Sequence, residues 1–324
     1  MSRRRRDPVR RDRNAGRLAV LWAGERRIQA LVVLALAAAV GYLTWRLAAT
    51  FEGAALWLAI PLFAVEVAGF CQLGALAAQA WRVPDGSPRA DAEGGGDVLI
   101  VAGDEHDEDE VERSRLGSAS LAGVGEVVVA APSEVGDRIR GLSGEAVLVL
   151  SAGQVPPADA LRRAGSALAD QRVVGVGLPL EFINRDGLAH LFSGSSEREL
   201  ANRVVGPSMG ARGLAPLGPS PFVARRSALV EIALAERLPS SPVLGARLLA
   251  RGRCAFAAGA PVRTVGPDGL GDYLQGAESR ARASLRGLPT ALHAVGADAR
   301  RRMALLAGAV RYTAGVRAAG AIAV

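Results

Sequence analysis

Two long apolar stretches near the N-terminus limit what this chain can fold into. Residues 28–45 contain 18 residues without a charged side chain, and a helix of that length is about 27 Å long, close to the hydrocarbon thickness of a bilayer. Residues 53–81 form a second stretch of 29 residues in which Glu66 carries the only charge. The pattern predicts two transmembrane helices, at residues 28–48 and 54–81. It argues against a cleavable signal peptide, because the first stretch is too long and a second one follows.

The distribution of arginine predicts how these helices are oriented. Residues 1–27 contain ten arginines, whereas Arg46 is the one basic residue beside the short loop between the two stretches. Because positive charge is retained on the cytoplasmic side, the N-terminus and the whole chain after Trp81 are expected in the cytoplasm. The predicted location is therefore the inner (plasma) membrane of a bacterium, crossed more than once, with the main domain cytoplasmic.

Membrane lipid is the expected partner of the basic tail. The chain contains no lysine and has a formal charge of +7, and arginines clustered next to a span attract anionic lipid. Nucleic acid is not expected as a partner, because no basic face supports that kind of binding.

Glu66 admits two interpretations. An ionisable group inside a membrane span is costly and often functional, but a hydrogen bond between two helices or a protonated carboxyl would also satisfy this position. The structural interpretation is favoured.

A proline- and glycine-rich segment separates the spans from a domain of alternating strands and helices. Residues 82–96 contain Pro84, Pro88 and three consecutive glycines without apolar periodicity, which is typical of a linker. Four short apolar runs follow, of the kind that forms buried parallel strands. They are residues 98–101, 125–130, 146–150 and 172–176, with an amphipathic helix at residues 158–169. The alternation predicts an α/β domain with a parallel sheet, beginning near Asp97.

An acidic run follows the first predicted strand. Residues 104–112 read Asp-Glu-His-Asp-Glu-Asp-Glu-Val-Glu, and several carboxylates together can bind Ca²⁺ or Mg²⁺. The run lacks the glycine turn and ligand spacing of a calcium loop, so a solvated loop of repelling charges is the favoured interpretation. The histidines His106, His190 and His293 have no nucleophile paired with them, and a hydrolase triad has no support.

Six segments occur in the order found in one family of enzymes. Residues 97–105 resemble its first strand and loop, 126–131 its second strand, and 144–163 its third strand and helix. Residues 174–184 end in Pro-Leu-Glu-Phe-Ile-Asn and resemble a Gln-x-Pro-x-x-Phe-x-Asn motif. Residues 218–232 resemble an acceptor-side segment with paired arginines, and 248–252 the end of the helix after a Thr-Glu-Asp motif. Over roughly residues 28–290, the chain is similar to the membrane-bound family 2 glycosyltransferases of the cellulose synthase-like group.

This resemblance implies a fold and a set of ligands. The fold is a nucleotide-sugar-transferase-like domain of the GT-A type, with Glu105 beside the nucleotide and Arg225 and Arg226 on the acceptor side. The implied donor is a nucleotide sugar, with Mg²⁺ or Mn²⁺ as cofactor only if the protein is active. The implied partners are other envelope-synthesis proteins.

The residues on which the family's chemistry depends are replaced in this chain. Ser151, Ala152 and Gly153 stand where the family has Asp-x-Asp. Ala131 occupies the position of an Asp near the nucleoside, and Ser241 lies where the catalytic base is expected. No Trp follows Trp81, so a later Gln-x-x-Arg-Trp motif is incomplete. A metal held by carboxylates neutralises a leaving diphosphate, and a carboxylate base deprotonates the acceptor. Serine, alanine and glycine do neither.

The sequence therefore predicts a membrane-anchored family 2 glycosyltransferase-like protein with impaired catalysis, a pseudoenzyme without a metal site and with unknown catalytic residues. Two alternatives stay open: an active inner-membrane glycosyltransferase that uses a nucleotide donor, and a non-enzymatic membrane scaffold or interaction module. The predicted organisation is an Arg-rich cytoplasmic tail (1–27), two transmembrane helices (28–81), a linker (82–96), the glycosyltransferase-like α/β domain (97–290), and a C-terminal helical segment (291–324) apolar enough to associate with a membrane.

Overall fold

The computed structural model divides into two compact units, Met1–Val83 and Pro84–Val324. It describes residues 8–49, 56–80, 94–103, 108–184, 201–215, 221–235 and 241–266, together with the single positions 199, 217, 271, 274, 275, 278 and 282. The predicted C-terminal segment 291–324 and the predicted nucleotide-side residue Glu105 lie outside the described residues.

The N-terminal unit consists of two helices, α1 (Pro8–Ala49, 42 residues) and α2 (Leu56–Ala80, 25 residues). In α1, the 21 residues Gln29–Ala49 have a mean hydropathy of 1.8 and are long and apolar enough to cross a bilayer. In α2, which contains Pro61 and Glu66, the apolar part is shorter, Ala59–Cys71. Among the described residues the first predicted span is thus supported by length and composition, and the second is not confirmed.

Glu66 lies between the two helices of this unit. Its Oε2 is 2.7 Å from Nε of Arg46, and its Oε1 accepts a hydrogen bond of 3.3 Å from the hydroxyl of Tyr42. The ring of Tyr42 in turn packs beside that of Phe70, with centroids 6.0 Å apart. These contacts confirm the structural interpretation of Glu66, as a partner in hydrogen bonding between helices.

The second unit is an α/β domain whose elements alternate along the chain. They are β1 (Gly96–Val101), α3 (Glu108–Ala119), β2 (Val124–Ala130), α4 (Val135–Gly141), β3 (Ala146–Ser151), α5 (Ala160–Leu168), β4 (Val173–Gly177), β5 (Leu180–Phe182), a π-helical turn (Ala201–Val205), α6 (Gly206–Ala211), β6 (Phe222–Arg225), α7 (Arg226–Ala235), α8 (Ser241–Arg251), β7 (Arg253–Phe256) and β8 (Val262–Thr264). The first four strands and α5 lie within two residues of the positions predicted from apolar runs.

Six strands form one sheet in the order β2-β1-β3-β6-β4-β7. β1 pairs in parallel with β2 and β3, and β4 pairs in parallel with β7. β6 lies antiparallel between β3 and β4, so the sheet is mixed rather than wholly parallel. β5 and β8 form a separate two-stranded parallel sheet.

The sheet is buried on both faces because successive strand residues point to opposite sides. Val98 and Ile100 of β1 belong to the core that includes Leu161 of α5. Leu99 belongs to the opposite core, with Leu229 of α7 and Leu248 of α8. Each of these side chains is at most 1 % exposed, and burying one stabilises the fold by roughly 1.5–3 kcal/mol.

The end of the predicted linker belongs to the folded domain. A Cβ on Gly94 would lie 2.7 Å from the carbonyl oxygen of Leu161 in α5, and a Cβ on Gly96 would lie 2.4 Å from that of Ala146 in β3. Side chains do not fit at such distances, so glycine is required where the backbone passes this closely. These close contacts fix the start of β1, which begins at Gly96, two residues before the predicted strand 98–101.

Candidate functional site

The turn after β3 lies at the carboxyl end of the central parallel strands. Val101, the last residue of β1, is in register with Ser151, the last residue of β3, and the amide of Ala152 donates to the carbonyl of Val101 at 3.0 Å. Ligands of open α/β sheets bind beyond the carboxyl ends of the strands. Ser151–Gly153, which directly follow the predicted third strand (146–150), therefore lie at the carboxyl end of a central strand of the sheet.

Five consecutive amides in this turn are hydrogen-bonded within the domain. Ser151 N donates to Gln154 Oε1 (3.0 Å), Ala152 N to Val101 O (3.0 Å), Gly153 N to Glu110 O (3.2 Å), Gln154 N to Ser151 O (3.2 Å) and Val155 N to Arg263 O (2.7 Å). Gly153 has a φ of +80°, and Gln154 is only 6 % exposed. The turn is thus closed upon itself, and these amides are already engaged instead of being available to phosphate oxygens.

Glu110 brings a carboxylate to the turn from a different part of the chain. The distance from Glu110 Oε1 to the position that a Cβ on Gly153 would occupy is 3.5 Å. The hydroxyl oxygen of Thr264 lies 3.8 Å from the same position. Glu110 belongs to α3, and its backbone carbonyl oxygen accepts the hydrogen bond from the Gly153 amide. The residue was not singled out from the sequence, although Glu110, Ser114 and Ser118 recur every four residues, which indicates one face of a helix.

The acidic run was predicted to be a loop, and this is wrong for its second half. Residues 108–112 form the first turn of α3, where acidic side chains stabilise the positive end of the helix dipole. Arg115, one turn later, donates to both carboxylate oxygens of Glu112 at 2.7 and 2.8 Å. This hydrogen bond lowers the pKa of Glu112 and raises that of Arg115. Residues 104–107 lie outside the described residues.

Two further positions where the resembled family has carboxylates, Ala131 and Ser241, have no carboxylate cluster beside them among the described residues. Ala131 is exposed after β2, and its carbonyl accepts from the amide of Glu134 at 2.9 Å, in the turn that leads into α4. Ser241 is the first residue of α8. Within the described part of the chain, no group of three or more His, Cys, Asp or Glu residues is arranged to hold a metal ion.

The two predicted acceptor-side arginines lie at the other edge of the sheet from Ser151. Arg225 pairs with Ala146, at the amino end of β3. Its guanidinium donates to the carbonyl oxygens of Val173 (2.9 Å), Asp170 (3.3 Å) and Leu168, and to a carboxylate oxygen of Glu145 (3.0 Å). Arg226 begins α7 and its amide donates to Glu145 O at 2.8 Å. Contact with an acceptor stays a prediction for both, and the contacts of Arg225 give it a structural role.

The segment that resembles Gln-x-Pro-x-x-Phe-x-Asn holds the small sheet in place. The amide of Val262 donates to Pro179 O at 2.8 Å. Asn184 donates from Nδ2 to Gly266 O (3.0 Å) and accepts at Oδ1 from Gly266 N (2.6 Å). Because Arg263 of β8 also exchanges two backbone hydrogen bonds with Val155, this sheet is attached to the turn after β3 and forms one side of the candidate site.

The architecture is that of a GT-A-type glycosyltransferase-like domain. A mannosyltransferase from Pyrobaculum calidifontis, solved with GDP-Man and Mn²⁺, is similar over 80 % of this chain and 86 % of its own, with 14 % identity and a TM-score of 0.54. S. aureus TarS, residues 1–349, is similar over 67 % of this chain and 71 % of its own, with 9 % identity and a TM-score of 0.42. Glucosyl-3-phosphoglycerate synthase from Mycobacterium tuberculosis, solved with Mn²⁺ and UDP-Glc, is similar over 65 % of this chain and 83 % of its own, with 15 % identity and a TM-score of 0.37. No protein-family model and no curated protein matches the sequence.

Proposed function

We propose that this chain is a membrane-anchored member of the family 2, cellulose synthase-like glycosyltransferases that does not catalyse metal-dependent sugar transfer and acts as a binding or scaffold module in envelope synthesis. The observation that carries the proposal is the closed turn after β3. Its own residues, Ser151–Gly153, contribute neither a carboxylate nor an unengaged amide at the place where the fold would bind a nucleotide diphosphate.

The missing groups matter because of the charge that sugar transfer develops. The leaving nucleoside diphosphate is an anion, and enzymes stabilise it with a cation or with preorganised donors. In Ser151–Gly153 there is no ligand for such a cation, and Ser241 is not a base at neutral pH. The residues present therefore do not fit the family's metal, and no catalytic step is assigned to one.

Membrane anchoring is supported by the surface of the N-terminal unit. Large apolar side chains that are more than half exposed are concentrated there, which in water would be an aggregation liability. They include Leu31, Leu34, Val40, Trp45, Leu47, Trp57 and Ile60. A bilayer is the solvent that suits this surface, with α1 and α2 crossing it and the α/β domain in the cytoplasm.

One observation favours a second candidate, an active transferase. The Glu110 carboxylate beside Gly153, with Asp104, Glu105 and Asp107 earlier in the sequence, would be the source of ligands for Mg²⁺ or Mn²⁺ in place of the family's Asp-x-Asp. A nucleotide sugar would then be the donor.

The two candidates are separated by assaying the full-length protein in nanodiscs with a panel of UDP and GDP sugars, with and without Mn²⁺. We expect no metal-dependent release of nucleoside diphosphate. Metal-dependent turnover that is lost in Glu110→Gln, but kept in Glu134→Gln, would refute the first candidate and establish the second. Glu134 is a suitable control because its exposed carboxylate lies on the segment leading into α4.

A further inference from the structure

α2 is poorly suited to entering a bilayer by itself. Its 25 residues, Leu56–Ala80, are enough to cross the hydrocarbon core, and Glu66 is the only charged residue among them. Glu66 lies near the middle of the helix, and an ionised carboxylate is among the most costly groups to place in lipid. In α1, by contrast, the one charged residue of the apolar stretch Gln29–Ala49 is Arg46, close to its end.

The structure supplies Glu66 with a partner on α1. The Arg46–Glu66 contact of 2.7 Å lies between the helices, and the two side chains are only 17 % and 22 % exposed. Tyr42, one turn before Arg46, donates to the other carboxylate oxygen. The charge of each group is neutralised by its neighbour inside the helix pair, while large apolar side chains such as Leu34 (66 %) and Trp57 (79 %) are exposed around it.

The two charges differ in how well they tolerate separation. Arg46 lies three residues before the end of α1 at Ala49, so its long side chain can extend to the interface if Glu66 is removed. Glu66 lies ten residues into α2, roughly 15 Å from its start, and its shorter side chain cannot reach water. Removing one member of a buried pair is far more costly than replacing both by apolar residues.

We propose that α2 is a conditional membrane span, which enters the bilayer only as a hairpin with α1 because Arg46 neutralises Glu66. This inference rests on the proposed membrane anchoring and deepens it. When the pair is broken from the arginine side, α2 stays out of the membrane, α1 spans alone, and the α/β domain is delivered to the opposite side.

The test uses the full-length chain in bacterial membranes and reads the side on which the domain lies. A cysteine is introduced at Ser133, which is exposed after β2, in a Cys71→Ser background; the remaining Cys254 is buried. Intact spheroplasts are labelled with a membrane-impermeant maleimide, before and after permeabilisation. We expect Arg46→Leu to raise the ratio of externally to internally located domain at least tenfold, equivalent to about 1.4 kcal/mol.

Three further variants give the result its specificity. Glu66→Gln should change the ratio little, and Arg46→Leu with Glu66→Leu should restore the original ratio and the original amount of protein in the membrane. Thr44→Leu is the matched control, because the Thr44 hydroxyl donates to Val40 O within its own helix. If Arg46→Leu is degraded, recovery of the protein level in the double variant supports the inference, and failure to recover overturns it.

The outcomes distinguish this inference from the proposed function. An unsubstituted chain recovered in the soluble fraction would refute membrane anchoring itself. An anchored chain whose domain is labelled from outside, or an Arg46→Leu chain with unchanged orientation, would overturn the conditional span and leave the anchor standing.

Discussion

The two edges of the central sheet use polar groups in opposite ways. At the amino edge, the buried carboxylate of Asp97 and the partly buried guanidinium of Arg225 each hold two or more backbone groups. At the carboxyl edge, beyond which open α/β sheets bind their ligands, the turn after β3 is closed by neutral groups, among them the side-chain amide of Gln154. At the amino edge, charged side chains therefore hold the backbone, whereas at the carboxyl edge neutral groups do so.

The largest expected effect is at Asp97, which is 1 % exposed. Its carboxylate accepts from the amides of Glu126 (3.0 Å) and Gly144 (2.6 Å), and thereby spans the irregular pairing at the start of β1 and β2. Asp97→Ala leaves both amides unsatisfied and should destabilise the domain by about 3 kcal/mol. Pulse proteolysis of the full-length protein in urea measures this, since all four Trp residues precede residue 82 and do not report on the domain.

For Asp97, the control is Asp137→Asn at an exposed ion pair on α4, where a change within about 0.5 kcal/mol is expected. An equally small effect of Asp97→Ala would show that the amino edge does not depend on its buried carboxylate.

Arg225→Lys should be the next largest in effect, at about 2 kcal/mol. A lysine ammonium cannot satisfy three carbonyls and Glu145 in the geometry of a guanidinium fork. The same urea titration applies, with Arg251→Lys on the half-exposed pair with Glu231 as comparison. If Arg225→Lys were neutral, the structural role assigned to Arg225 would fail, and an acceptor-binding role would gain weight.

At the carboxyl edge, Gly153→Ala should cost about 1–2 kcal/mol. The loss comes from the φ of +80° alone, because a Cβ there has ordinary contacts at 3.5 Å and beyond. Gly141→Ala, where a Cβ meets nothing within 4 Å, provides the matched control and should be neutral. Equal midpoints for the two variants would argue against the closed turn.

Ser114→Ala and Ser118→Ala should have the smallest effects on stability. Unlike the preceding variants, both should stabilise the domain. Both hydroxyls are fully buried on α3 and have no hydrogen-bond partner among the described residues. Removing an unsatisfied buried hydroxyl should raise stability by up to about 1 kcal/mol. A loss of stability in both variants would reveal a partner that holds α3 against the sheet.

Sequence reasoning located the parts of the fold that depend on local pattern. β1, β3 and β4 are continuous apolar runs, which is the pattern of strands buried on both faces of a sheet. They could therefore be recognised as strands from the sequence. β6 was not predicted as a strand, because its apolar run is only three residues long and its antiparallel partner β3 lies almost 80 positions earlier in the chain. Local pattern contains no such partner information.

The position of the candidate site could be predicted from the sequence, but the side chains that surround it could not. That Ser151–Gly153 would end a central strand followed from the run before it. The contribution of Glu110 did not, because its acidic neighbours favour a solvated loop unless the helix and its contact with Gly153 are known. The role of Arg225 was likewise hidden, since a pair of arginines looks the same in sequence whether it binds a ligand or caps carbonyl groups.

The place of β6 in the sheet has a consequence for the order in which the domain folds. β2, β1 and β3 come from residues 96–151, so this half of the sheet is assembled from nearby chain. The rest depends on distant partners, because Ala146 pairs with Arg225 and Val173 pairs with Arg253. During synthesis the first half can form early, whereas β4 is joined to it through the later strand β6, and β7 is added after that. Closing these long loops makes the second half of the sheet the slower part of folding.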